Sequence, residues 1–119
     1  IEIGDYCGCS PRCTILSGSD DFSGEYMIGP MVDEKYTNVT KKKVILKNFS
    51  QLGANSIVMP GIVINEGAVC GCFSFVNKNL HQWSMYVGIP VHKIKNREKK
   101  ILDLRLQYEK EINSCNDML

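Results

Sequence analysis

The sequence predicts an all-β chain wound as a parallel β-helix of six-residue repeats, with one protruding loop and a C-terminal α-helix. Three observations carry that prediction. Leu46, Leu52, Val58, Ile64, Cys70 and Val76 recur every six residues. The position after each holds Lys47, Gly53, Met59, Asn65, Gly71 and Asn77. Four places after each apolar residue come Ser50, Ser56, Ile62, Ala68, Ser74 and Leu80, which are mostly small. A strand alternates every two residues and a helix repeats every 3.6, so neither explains a six-residue phase. A hexapeptide period is a signature of stacked parallel coils. The aliphatic residue points into a narrow interior, and the small residue fits where the chain turns a corner.

The chain opens inside a repeat, with Ile3, Cys9 and Ile15 at the inward position. Because it begins at Ile1, a further N-terminal part is expected to precede it. From Gly18 to about Lys43 the phase breaks. Ser19 to Met27 is polar, acidic and aromatic, Gly29-Pro30 marks a turn, and Lys41-Lys42-Lys43 is a basic run before the repeat resumes. Loops this long are functional or disordered, and insertions in repeat coils cluster on binding faces. This one reads as functional. After Leu80 the phase is lost: His81 to Tyr86 looks irregular, and Val87-Gly88-Ile89-Pro90 looks like a turn. From Asn96 the pattern is helical, with an apolar stripe of Ile101, Leu104, Tyr108 and Ile112. Such a stripe caps the open end of the coil or packs on a neighbour, and Ser114 to Leu119 reads as a frayed tail. The division is therefore a β-helix over 1–95, with its loop at about 18–43, and a helical tail over 96–119.

Charged residues make up 23% of the 119 and the formal net charge is +1, and nothing in that balance points to a nucleic-acid or membrane-surface partner, so neither is expected. No apolar run reaches the roughly 18 residues of a membrane-spanning helix. The C-x-C spacings Cys7/Cys9 and Cys70/Cys72 are not those of structural zinc sites. Cysteines at small or inward repeat positions act as small hydrophobes. Reduced thiols, no metal and a cytoplasmic setting follow. Ile57, Val63, Val69 and Phe75 are read as one apolar outer side, covered by contact between subunits.

The repeats, the interrupting loop, and the ending Val76-Asn77-Lys78-Asn79-Leu80 with Val87-Gly88-Ile89-Pro90-Val91-His92-Lys93-Ile94-Lys95 resemble the hexapeptide-repeat acyltransferases. The likeness covers residues 1–97 and points to galactoside and maltose O-acetyltransferases and to sugar acyltransferases of surface-polysaccharide clusters. It implies a left-handed coil, a homotrimer, acetyl-CoA as acyl donor in a groove between subunits, and an acceptor near the loop. The implied product is an acetylated sugar hydroxyl or amino group. A non-catalytic trimeric scaffold and an N-acetyltransferase of a nucleotide amino sugar are the alternatives. A γ-class carbonic anhydrase shares the coil but needs three zinc-binding histidines, and only His81 and His92 are present.

In the sugar acetyltransferases the general base is a loop histidine. This loop has none. Asp20, Asp21 or Glu25 then supplies the base, its pKa raised by burial beside another carboxylate. Otherwise the base comes from an N-terminal part, or activity is lost. Adjacent aspartates also serve as turn residues. Gly53, Ala54, Gly71, Cys72, Asn77 and Lys78 match positions that line the family's pantetheine groove, although coil geometry alone also asks for glycines. His92 and Lys95, with Lys93, fall where a 3′-phosphate would be met, or form a solvated basic tail. Trp83 stacks on adenine or covers the coil's end.

Overall fold

The computed structural model describes residues 1–117. Strands β1 (Glu2–Ile3), β2 (Gly8–Cys9) and β3 (Thr14–Ile15) make the first turn of a three-sided coil. The loop follows, with β4 (Gly18–Ser19), a 3-10 helix at Glu34–Tyr36 and β5 (Thr40–Lys41). The second turn is β6 (Ile45–Leu46), β7 (Gln51–Leu52) and β8 (Ile57–Val58). The third is β9 (Val63–Ile64), β10 (Val69–Cys70) and β11 (Phe75–Val76). A longer hairpin, β12 (Ser84–Gly88) and β13 (Val91–Asn96), leads to helix α1 (Lys100–Asp117).

Each sheet takes one strand from every turn. The first is β1-β6-β9, the second begins β2-β7-β10-β12, and the third is β3-β8-β11, all paired in parallel. The cause of the six-residue phase is visible at the corners. Phe49, Asn55, Gly61, Gly67 and Phe73 all have positive φ, between 56° and 82°. A left-handed residue turns the chain sharply, and it costs a non-glycine residue roughly 1–2 kcal/mol. Packing behind the corner offsets that cost. Leu46, Leu52, Val58, Ile64, Cys70, Val76 and Leu80 are all buried, and each fully buried aliphatic side chain contributes about 1.5–3 kcal/mol. Buried serines close the corners. The Ser56 and Ser74 hydroxyls both donate to the Gly71 carbonyl, at 3.1 and 2.7 Å.

Ile3 and Cys9 are in register with Leu46 and Leu52 but are exposed. They form the open face of the first turn. All six cysteines are free thiols.

The expected apolar outer side is not one side. Six residues advance the chain by one third of a turn, so Ile57, Val63 and Val69 lie on three different sheets. Only Ile57 and Phe75, paired across β8 and β11, share a side. The coil also continues past Leu80, where irregular structure was expected. Leu80 bridges to Ile64, and β12 adds in parallel to β10 before β13 folds back on it. The spacing changes because Trp83, itself at φ 51°, lies over Gly67. A Cβ on Gly67 would stand 2.3 Å from the Trp83 ring. Trp83 is buried and covers the last corner, its Nε1 donating to Glu66 at 3.3 Å.

That corner is an aromatic column. The Tyr6 and Phe49 rings stack at 5.5 Å, and Phe49 meets Trp83 at 6.0 Å. The Arg105 guanidinium of α1 stands 5.0 Å from the Tyr6 ring and 5.4 Å from Phe49. Tyr6 donates its hydroxyl to Glu109 at 3.0 Å, and Arg105 donates to the same carboxylate at 2.9 Å. Hydrogen bonds from Arg105 and then Tyr6 hold the Glu109 carboxyl below its ordinary value. Arg97 ties the entry to the helix by donating to the Phe49 and Gly67 carbonyls at 2.7 and 3.1 Å. The helix therefore meets the coil through Ile101, Leu102, Arg105 and Glu109. Leu104, Tyr108 and Ile112 of the expected stripe are exposed. Ring faces attract a guanidinium, and that contact sets the rotation of the helix. The helix runs through Asp117 and so includes Ser114, where a tail was expected; Met118 and Leu119 lie outside the described residues.

Candidate active site

The loop leaves the coil where the third sheet turns into the first. Its root is an antiparallel pair, Gly18 beside Lys41 and Ser19 beside Thr40. Lys42 donates its backbone N–H to the Ser17 carbonyl at 3.0 Å. Deeper in, Met27 donates to Tyr36 at 2.8 Å, and the Asp33 carboxylate caps the 3-10 helix through the Lys35 N–H at 3.3 Å. The loop is thus held by polar bonds rather than by a core.

The three candidate carboxylates have different surroundings. Asp21 accepts from the Ser23 hydroxyl, from the Ser23 backbone N–H at 2.7 Å, and from the Asn38 side-chain amide at 3.3 Å. The Ser23 hydroxyl first, then its N–H, hold the Asp21 carboxyl below the ordinary aspartate value. That runs against the raised pKa expected of a base: these donors favour the charged form. Asp21 instead ties the outgoing arm of the loop to the returning one. Glu25 is exposed, and its backbone donates to Ser23 Oγ at 3.1 Å. Asp20 is half-buried and accepts from the Gly29 N–H at 3.3 Å.

Asp20 also stands in the wall between two clefts. One, of about 430 Å³, mixes apolar and polar lining, with Pro30, Val32 and Val39 beside Ser19, Asp20, Glu34, Thr37 and Lys41. The other, of about 740 Å³, is lined by Asp20, Asp21, Phe22, Gly24, Tyr26, Met27 and Ile28. Sequence reasoning passed over Ser19, Thr37 and Lys41. They carry no motif: Ser19 merely precedes Asp20, the pairing of β4 with β5 brings in Lys41, and Thr37 enters from the end of the 3-10 helix.

The groove residues flank the third sheet on both edges. Gly53, Ala54, Gly71 and Cys72 sit at the corner entering it, between β7 and β8 and between β10 and β11. A Cβ on Gly53 would lie 2.5 Å from the Cys72 nitrogen, and one on Gly71 would lie 3.0 Å from Val87 Cγ1. Stacking of one turn on the next therefore accounts for both glycines. His92 pairs with Val87, so it extends the same corner by one layer, while Lys95 lies beside Met85 toward the other end of β13. Asn77 and Lys78 are exposed at the opposite edge, where the loop departs. Between the edges runs an apolar cleft of about 250 Å³ formed by Asn55, Ile57, Phe73, Ser74, Phe75 and Ile89. Phe73 and Ile89 escaped the sequence reading because neither belongs to the inward phase.

No protein-family model matches the chain. The curated dTDP-4-amino-4,6-dideoxy-D-glucose acyltransferase of Escherichia coli is 36% identical over 104 residues, which is 87% of this chain and 54% of that protein. The chain thus spans about half the length of that relative. AntD, an N-acyltransferase from Bacillus cereus solved with dTDP and 3-hydroxybutyryl-CoA, superposes with a TM-score of 0.91 at 41% identity, covering 93% of this chain and 59% of AntD. Further AntD structures carry a substituted aspartate or serine, with coenzyme A and dTDP or dTDP-4-amino-4,6-dideoxyglucose. A galactoside acetyltransferase bound to coenzyme A matches with a TM-score of 0.69 at 20% identity, over 82% of this chain and 46% of that one, a likeness of fold. The chain's homologues are acyltransferases, as the resemblance in its sequence implies. Among the described residues no helix is long and apolar enough to cross a membrane.

Proposed function

We propose that the chain is the acyl-transfer part of an enzyme that moves an acyl group from acyl-CoA to the 4-amino group of a dTDP-linked 4-amino-4,6-dideoxy sugar. The observation that carries this is the AntD match: 41% identity across 93% of this chain, with a protein solved holding both dTDP and an acyl-CoA. It favours the amine over the sugar hydroxyl as acceptor. Acetyl-CoA is the simplest donor. The coil is left-handed and the enzyme a cytoplasmic homotrimer serving surface-polysaccharide synthesis. The apolar cleft on the third sheet supports the trimer. At about 250 Å³ it is smaller than the roughly 300–1,000 Å³ of ordinary ligand pockets, and a second copy would complete its wall. Ala54, Cys72 and His92 flank it on one side and Asn77 and Lys78 on the other. Lys95 reaches only the periphery.

Asp20 is the residue we assign to proton transfer. The acceptor nitrogen attacks the thioester carbonyl, the C–N bond forms and the C–S bond breaks. Asp20 takes the proton that nitrogen loses, and coenzyme A leaves as the thiol after taking a proton in turn. Asp20 is half-buried at the loop root and opens onto both clefts, whereas Asp21 is committed to its tie and Glu25 lines neither cleft. The serine and aspartate substituted in AntD are spaced as Ser10 and Asp20 are, and as Ser23 and Asp33 are. Of the two aspartates, Asp33 is exposed and caps the 3-10 helix.

The test is thiol release from acetyl-CoA with dTDP-4-amino-4,6-dideoxyglucose as acceptor, beside galactosides and maltose, with the product identified by mass. An N-acylated nucleotide sugar is the expected result. Transfer to hydroxyl sugars alone would move the reading to an O-acetyltransferase, and no thiol release with any acceptor would leave a scaffold.

A further inference from the structure

We infer that the cleft formed by Phe22, Tyr26, Met27 and Ile28 is the seat of the acceptor's pyrimidine base. The inference rests on the nucleotide-sugar reading above and adds to it the residues that recognise the nucleotide. The cleft's volume, about 740 Å³, is ample for a base and its sugar. Two aromatic rings, a thioether and a branched aliphatic line it, and Phe22 is 89% and Ile28 64% exposed. Loop tips are ordinarily polar, so an apolar tip of this kind marks a binding surface.

The charges decide what binds there. Asp20 and Asp21 are the ionisable groups in the lining, and no lysine or arginine belongs to it. Two carboxylates repel a diphosphate but tolerate a neutral ring. The rings of Phe22 and Tyr26 offer the stacking faces that flat bases use. The neighbouring cleft shares Asp20 and holds Lys41 beside Glu34, so it supplies the one cation in the linings of the two clefts. A nucleotide sugar bridging the two would put its base on the aromatic side and bring its amino sugar to the shared carboxylate. The adenine of the acyl donor is the other flat ring in the reaction. The donor's candidate residues lie on both edges of the third sheet, Gly53, Gly71 and His92 away from the loop and Asn77 and Lys78 where the loop departs, so titration with coenzyme A is what separates the two rings.

Calorimetric titration of the full chain with dTDP, and separately with coenzyme A, tests this on the wild type and on Phe22→Ala and Tyr26→Ala. Phe22 is exposed and the coil does not rest on it, so its truncation leaves the fold standing, which circular dichroism checks. We expect wild-type binding of both ligands, at least a tenfold weaker dTDP affinity in each variant, and unchanged coenzyme A affinity. Unchanged dTDP binding in both variants overturns the inference while leaving the acyltransferase reading intact. Weakened coenzyme A binding in the variants also overturns it, because the rings would then serve the donor. Absence of dTDP binding in the wild type overturns the nucleotide-sugar reading and this inference with it.

Discussion

Between Val44 and Leu80 the interior residues vanish from solvent in a steady rhythm, whereas not one residue from 18 to 43 is fully buried. The two regions are held by different physics. The coil is held by apolar packing behind left-handed corners, repeated so that each turn templates the next. The loop is held by a two-residue strand pair, a capped 3-10 helix and the bonds of Asp21. Coil positions are constrained by shape and leave little room for chemistry. Loop positions are free of the core, and Asp20, Asp21, Phe22 and Tyr26 line clefts there. In many folds binding residues sit on loops carried by a rigid scaffold, and the proposed acceptor site follows that division.

Substitutions on either side of that divide sharpen it, and the largest effect belongs to the coil. Leu52 is 0% exposed in the central turn. Leu52→Ala should lower unfolding stability by about 2–5 kcal/mol, the usual range for a buried leucine that leaves a cavity. Phe22→Ala in the loop should change it by less than about 0.5 kcal/mol. Chemical denaturation of both variants reads the difference. Comparable losses would mean that the loop tip is part of the folding unit, and the contrast would collapse.

The second effect is on activity alone. Asp20→Asn should reduce the transfer rate by roughly 10²-fold or more, the typical loss with a general base, without moving the denaturation midpoint. A variant with wild-type turnover would remove Asp20 from the chemistry. The third effect lies at the coil's closing corner. Gly67→Ala puts a methyl 2.3 Å from the Trp83 ring at a φ of 70°, and overpacking of that kind costs roughly 1–3 kcal/mol. Displacement of the single tryptophan should shift its fluorescence toward the red. An unchanged spectrum with full stability would show that Trp83 does not need that glycine.

The same divide explains what could be read in the amino-acid string. The six-residue phase reports the narrow interior directly, because Leu46, Leu52 and Val58 each meet the same steric demand. Which outer residues share a side was misread, since Ile57 and Val63 look equivalent along the chain and only the third-of-a-turn advance separates them. The helix was misread for a related reason. Leu104, Tyr108 and Ile112 make a persuasive stripe, but the surface awaiting the helix is the stacked column of Tyr6, Phe49 and Trp83. That column draws members from three distant turns and favours Arg105. In the loop, the residue types of a site were legible, while their roles depend on local hydrogen bonds that no periodicity encodes. Asp20 and Asp21 are neighbours in sequence and share a cleft, yet only Asp20 also lines the second one, and Asp21 is held by Ser23 and Asn38.

The smallest predicted effect isolates that last distinction. The Asp21 carboxyl is held below its ordinary value by the Ser23 hydroxyl, then the Ser23 N–H, with Asn38 adding to them. A group whose folded pKa is depressed contributes stability that is present above its unfolded pKa and is lost as pH falls through the folded one. The tie between the loop's two arms should therefore persist throughout the neutral range and down past the ordinary aspartate value, then release at more acid pH. No Asp or Glu is among the buried residues of the coil, so Leu52 and its buried neighbours should not respond in that step. Proton and nitrogen shifts of the Ser23 amide and the Asn38 side-chain amide, followed by NMR on acidification, should titrate together below the ordinary aspartate value and stay flat in Asp21→Asn. A Ser23 titration at or above that value would show a carboxylate without its donors, and Asp21 would again compete with Asp20 for the role of base.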